Sequence, residues 1–252
     1  MSLTIVLVVG FFALGAIIAS FLGVVAERWG TGESWLAGRS RCDSCGHELG
    51  AAELVPVCSW LSSRGRCRAC GSHISARSTL AEAVLGGLFA LAFLQLGTSV
   101  AFAVFLVALA LLTLIVLYDL RHTLIPGMFS TPFVLVSVVF AALIATDVRA
   151  FAITFLTAAG LALVLAAMHF ASRGRAMGLA DAPITFALAL LAGPLAFSGF
   201  VYSFWVGALV GVFILARAPR GHRMGIEVPF APFLAAGFLL AFFTGWNLFM
   251  LL

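Results

Sequence analysis

Six long stretches of this 252-residue chain contain no Asp, Glu or Arg: residues 2–26, 83–118, 123–146, 150–172, 182–216 and 228–252. Polar residues gather in the blocks between them. An apolar helix crosses a bilayer in about 20 residues at about 1.5 Å per residue, so the second and fifth stretches each suit two helices. Gly97-Thr98-Ser99 divides the second, and Gly193-Pro194 with Ser198-Gly199 divides the fifth. The pattern predicts an all-α polytopic membrane protein of eight transmembrane helices. It comprises a first helix within 1–26, a small polar domain at 27–82, and a seven-helix membrane domain at 83–252.

Composition sharpens this reading. With 63% hydrophobic residues, 10% charged residues and a mean hydropathy of +1.17, the chain has too little polar surface for a soluble globule. Its net charge is +4, and all fourteen basic residues are Arg. Basic residues accumulate in cytoplasmic loops. With the N-terminus outside, segments 27–82, 119–122, 173–181 and 217–227 are cytoplasmic and hold thirteen of the fourteen Arg, leaving only Arg149 on the other side. The positive charge is thereby assigned to topology and the membrane surface, and no nucleic-acid partner is expected. No Arg precedes the first apolar run and Arg28 follows it, which reverses the charge order of a cleaved secretory signal and predicts a retained anchor.

All five Cys lie between Cys42 and Cys70. Cys42-x2-Cys45 and Cys67-x2-Cys70 are each followed by a glycine, Gly46 and Gly71, which permits the tight turn of a metal knuckle. Reduced thiols in this arrangement suit tetrahedral zinc, and four thiolates leave no position for a substrate water, so the metal is expected to be structural. A domain this small is commonly stabilised by such a metal. Cys58 fits neither knuckle and is expected to be a small buried apolar residue. His47, His73, Arg64, Arg66 and Arg68 are expected on a solvated face.

Asp119 and Asp181 each sit at a junction of an apolar run with a cytoplasmic turn. The chain crosses outward and returns between them, so the eight-helix topology puts both on one face and Asp147 on the other. Two close carboxylates can divide the work of peptide hydrolysis, one accepting a proton from water while the other donates to the carbonyl oxygen. The same residues could also serve as helix caps or as partners of Arg121 and Arg175.

Motifs along nearly the whole chain resemble the type IV prepilin peptidases. These are Ser20-Phe21-Leu22, Val24-Val25 and Arg28, then Arg39-Ser40-Arg41-Cys42, Pro56, Ser59-Trp60, Arg64-Gly65-Arg66-Cys67 and Glu82. Asp119-Leu120-Arg121-His122 with Ile125-Pro126, and Val228-Pro229-Phe230-Ala231-Pro232-Phe233-Leu234, continue the similarity. The resemblance implies an aspartic endopeptidase of the bacterial inner membrane, with Asp119 and Asp181 catalytic. Its substrates would be prepilins or pseudopilins with a short basic leader and an apolar helix, cut on the cytoplasmic side after a glycine. It further implies methylation of the new N-terminus, usually a phenylalanine, with S-adenosylmethionine as donor. Glu82, Arg121 and Gly178 become candidate substrate contacts; Glu82 equally suits the opening of a helix, where the macrodipole favours an acid.

The chain departs from the family pattern in three places. Gly23 stands where the family has asparagine, Ala180 replaces a glycine in Gly178-Leu179-Ala180-Asp181, and Pro183 stands where lysine is expected. Two alternatives therefore stay open: a peptidase without methyltransferase activity, and a zinc-stabilised membrane scaffold that binds pilins or assembly proteins without cutting them. His122 is expected in a loop and His169 near a helix end, neither with a catalytic role.

Overall fold

The computed structural model describes residues 3–32, 34–36, 40–42, 44–175, 177–217 and 228–248. Arg39, Glu227 and most of the polar segment 217–227 lie outside them. Residues 1–97 and 98–252 form two compact units. Among the described residues the secondary structure is helical apart from two isolated bridges, Arg41 with Glu48 and Arg66 with His73.

In the first unit, α1 (Leu3–Arg28) packs along α3 (Arg77–Leu96). Small residues set this approach. A side-chain carbon on Gly15 would lie 2.7 Å from the Leu85 carbonyl oxygen, and one on Gly86 would lie 2.7 Å from that of Phe12. Apolar helices that pair without a hydrophobic driving force gain by such close backbone contact. The segment between them carries a one-turn 3-10 helix, Ala51–Glu53, and a short α2 (Cys58–Ser62).

The second unit contains α4 (Val100–His122), α5 (Gly127–Ile144), α6 (Val148–Ser172), α7 (Asp181–Ala192), α8 (Ala196–Arg217) and α9 (Ala231–Thr244). Short polar caps start two of these helices. The Ser99 hydroxyl accepts from Phe102 N–H at 3.0 Å, and Asp147 accepts from Ala150 N–H at 2.7 Å. Helix α7 is the centre of the unit, packing on α5, α6, α8 and α9. Only Pro183 and Phe186 of its residues escape full burial. Phe105, Phe140 and Phe242 form an aromatic cluster that joins α4, α5 and α9, with Phe105 stacked on Phe242 at 4.7 Å.

Among the described residues, six helical stretches are long and apolar enough to cross a membrane, counting Asp181–Arg217 as one. Inside that stretch a 3-10 turn at Gly193–Leu195 separates α7 from α8, where the Gly193-Pro194 signal predicts a break; Ser198 and Gly199 belong to α8. Helix α7 has 12 residues and α9 has 14, so α7 extends only about 18 Å.

Three local expectations are corrected. Helix α3 starts at Arg77, so Glu82 lies beyond its first turn and does not act on the helix terminus. Helix α4 continues to His122, so this histidine is helical and not in a loop. Cys58 is exposed instead of buried, because α2 turns it outward while Trp60 packs inward against Gly65.

Candidate functional site

The two Cys-x2-Cys segments fold as matching knuckles. Cys42 N–H bonds the His47 carbonyl and Gly46 N–H the Cys42 carbonyl, each at 2.9 Å; Cys67 with Ser72 and Gly71 repeats both bonds at 2.9 Å. Gly46 and Gly71 adopt φ of +71° and +72°, a conformation that favours glycine. The four sulfurs of Cys42, Cys45, Cys67 and Cys70 all lie within 4.8 Å of one another, with Cys42 and Cys70 Sγ 3.9 Å apart. A tetrahedron with zinc–sulfur bonds of about 2.3 Å has sulfurs about 3.8 Å apart. The cluster therefore fits a metal ion such as zinc.

Local groups favour thiolate at Cys42 and Cys70 but not at Cys45, where, against the lowering His47 amide, desolvation and the neighbouring Cys70, Cys42 and Cys67 sulfurs push the thiol up to about 12. The Ser72 hydroxyl, followed by the amides of Ser44 and Cys45, holds the Cys42 thiol down at about 6. Ser72, through its hydroxyl and then its amide, also lowers Cys70. His47 does not reach a sulfur but pairs with Glu53 at 3.5 Å, and His73 is exposed, as are Arg64, Arg66 and Arg68.

Between the knuckles the backbone takes a rare form. Val57 has φ +62° and ψ −51°, and Cys58 N–H bonds the Pro56 carbonyl at 2.6 Å, which together make a classic γ-turn. A β-branched residue at positive φ is strained. Glu82, 7% exposed, accepts the Val57 N–H at 2.8 Å and so pins the turn to α3. Trp60 Nε1 donates to the Ile74 carbonyl at 3.1 Å, tying α2 to the second knuckle. A Glu82 spaced 25 residues from its partner offers no sequence signal for this role.

In the second unit Asp119 and Asp181 are 4% and 6% exposed. Asp119 occupies the last turn of α4, which Thr123 ends in a left-handed conformation while donating its N–H to the Asp119 carbonyl at 2.8 Å. Its carboxylate accepts from Ala231 N–H, at the start of α9, at 3.2 Å. Asp181 opens α7 and exchanges bonds with Gly178, whose carbonyl accepts Asp181 N–H at 3.3 Å and whose amide donates to the carboxylate. The Asp119 carboxylate thus meets a backbone donor at the start of α9, where orphan N–H groups favour negative charge, whereas Gly178 lies in the turn before α7. Asp181 is also within electrostatic reach of Asp119.

The atypical turn before α7 is unstrained. Ala180 has φ −64° and ψ −20°, which any residue adopts, and Pro183 falls in the first turn, where a missing N–H costs no helical bond. A side-chain carbon at Gly178 would stand 3.4 Å from Asp181 Oδ2, so glycine keeps space beside the carboxylate. His169 Nδ1 contacts the Met177 carbonyl at 2.8 Å and holds this turn against α6. Arg121 is exposed at the end of α4. The backbone amides of Ala231 and Gly178 were not candidates from the sequence, since amides carry no residue-type signal; the 228–234 motif marked the first only as a resemblance.

Comparison with known proteins sets the class first: the Bacterial Peptidase A24 N-terminal domain matches residues 13–96. The chain is 31% identical over 238 residues to the prepilin leader peptidase/N-methyltransferase of Bacillus subtilis (strain 168), covering 93% of each. It is 32% identical over 130 residues to a protein of the same name from Myxococcus xanthus (strain DK1622), covering 52% of this chain and 39% of that one. No solved structure matches. The chain belongs to the prepilin leader peptidase/N-methyltransferase family.

Proposed function

We propose that this protein is a membrane aspartic endopeptidase that removes the leader of type IV prepilins or pseudopilins at the cytoplasmic face, and then methylates the freed amine. The observation that carries the proposal is the burial of Asp119 and Asp181 within one unit, in electrostatic reach of each other and each fed by a backbone amide. In this reading the chain crosses the bacterial inner membrane eight times with its N-terminus outside, and both aspartates and the cysteine domain face the cytoplasm; the Arg-rich segments 27–82, 119–122, 173–181 and 217–227 support it.

In this mechanism one aspartate is ionised and the other protonated, as like charges at close range enforce. The ionised carboxylate takes a proton from water as the oxygen attacks the scissile carbonyl, and the protonated one donates to the carbonyl oxygen. Collapse of the tetrahedral intermediate expels the amine, which takes up a proton. The carboxylates act as a pair, and their titration belongs to the pair. Gly178 leaves room beside Asp181, and Arg121 and Glu82 are proposed substrate contacts, Glu82 through the turn it pins. The zinc site holds the 42–73 segment in shape. S-adenosylmethionine is the second substrate, supplying the methyl group to the new N-terminus.

Co-expression with a prepilin followed by intact-mass measurement tests the proposal. Leader loss with an added methyl is the expected result. Leader loss alone leaves a peptidase without methylation, and an unchanged precursor supports a non-catalytic scaffold. Cleavage by folded Asp119→Asn or Asp181→Asn protein would sink the aspartic mechanism.

A further inference from the structure

Among the described residues, two buried side-chain polar atoms have no hydrogen-bond partner: His122 Nε2 and Thr185 Oγ1. Each lies about one helical turn beyond an aspartate. His122 follows Asp119 by three positions on α4, and Thr185 follows Asp181 by four on α7. At these spacings side chains share a helix face.

The Thr185 hydroxyl is unusual within this fold. Thr113, Ser137, Ser203 and Thr244 all return their hydroxyls to the carbonyl four residues back, at 2.6–2.8 Å. For Thr185 that carbonyl belongs to Asp181, and it is not used, although Thr185 is 0% exposed. His122 is held by its ring, which packs tilted against Tyr118 with centroids 4.3 Å apart, and Tyr118 in turn meets Phe129 edge-on at 5.3 Å. Its position therefore does not depend on a bond from Nε2. Buried polar groups are seldom left unpaired, and those that are call for an explanation. Here each orphan shares a helix face with one of the two aspartates, one turn along.

We propose that His122 and Thr185 hydrogen-bond the backbone of a substrate segment drawn out in extended form across Asp119 and Asp181. The inference rests on the peptidase reading and adds the substrate's conformation and its contacts. A scissile bond must leave any helix before water can attack it. In apolar surroundings, unwinding strips N–H and C=O groups of partners that must be replaced. A hydroxyl both donates and accepts, and an imidazole nitrogen does either according to tautomer. Neither atom has another bond to surrender.

The test uses the full-length protein in detergent and a synthetic peptide with a basic leader, a Gly-Phe junction and an apolar segment. Thr185→Val and His122→Phe keep shape but lose the polar atom. Each is expected to lower kcat/KM on the order of fivefold, chiefly through KM. Thr185→Val should unfold at a temperature no lower than wild type, because it removes an unpaired buried group. Thr185→Ser and His122→Gln should restore KM. Unchanged kcat/KM in Thr185→Val and His122→Phe overturns the inference, as does a lower unfolding temperature in Thr185→Val, which would reveal a structural partner. If His122→Phe fails to fold, failure of His122→Gln to hold KM near wild type overturns it equally. Inactive Asp119→Asn and Asp181→Asn proteins beside fully active Thr185 and His122 variants would remove this inference alone; active aspartate variants would remove the peptidase mechanism itself.

Discussion

The carboxylate of Asp119 accepts a hydrogen bond from the amide of Ala231, 3.2 Å away and 112 positions later in the chain. The end of α4 is thereby joined to the start of α9. Asp119→Asn preserves an acceptor for this amide, whereas Asp119→Ala leaves a buried N–H unpaired at about 1–3 kcal/mol. Thermal unfolding in detergent should find the Asn protein within about 1 kcal/mol of wild type and the Ala protein clearly weaker. Equal stability of the two would show that the bond contributes nothing.

Strain at Val57 predicts an inverted pair of outcomes. Val57→Gly relieves the positive φ and should stabilise the protein by about 1 kcal/mol. Glu82→Ala orphans the Val57 amide and should destabilise by about 1–3 kcal/mol, while Glu82→Gln retains the acceptor and most of the stability. Denaturant unfolding separates these cases. A Gln variant as weak as Ala would mean that Glu82 acts by charge and not by this bond.

Removing the metal should loosen the cysteine segment selectively. Replacing Cys42, Cys45, Cys67 or Cys70 with Ser should abolish bound zinc in elemental analysis, while Cys58→Ser, at an exposed thiol outside the cluster, should not. Chelation should greatly accelerate trypsin cleavage after Arg64, Arg66 and Arg68, which are exposed beside the second knuckle. Digestion that proceeds at the same rate with and without chelator would argue against a structural metal.

Close helix contacts make some glycines irreplaceable and others not. Gly237 backs directly onto the Ser203 backbone, and Gly86 onto Phe12, whereas Gly87 and Gly211 have open space around them. Gly237→Ala and Gly86→Ala should each cost about 1–3 kcal/mol by overpacking, and Gly87→Ala should be neutral or better, as helical alanine is favoured over glycine. Unfolding temperatures in detergent will show whether the penalty follows the contact or merely the residue type.

Much of the architecture was legible along the chain. The apolar runs, the Gly97–Ser99 and Gly193-Pro194 breaks and the paired knuckle glycines all reappear as helix ends and positive-φ turns. These are local properties: hydropathy, chain stiffness and the conformations allowed to glycine are carried by the residues themselves. Cys58 and His122 were misplaced because a short helix and one extra helical turn, both set by packing, decided their surroundings.

The sequence by itself determined the helical membrane class, the four-thiol cluster and the pair of aspartates as candidates. Tertiary structure alone decided that Asp119 is met by Ala231, that Glu82 pins Val57, and that His122 Nε2 and Thr185 Oγ1 stay unpaired. The reason is physical. Backbone amides are the same at every position, and whether a buried polar group finds a partner depends on distant segments arriving at hydrogen-bond distance, which neither spacing nor composition encodes.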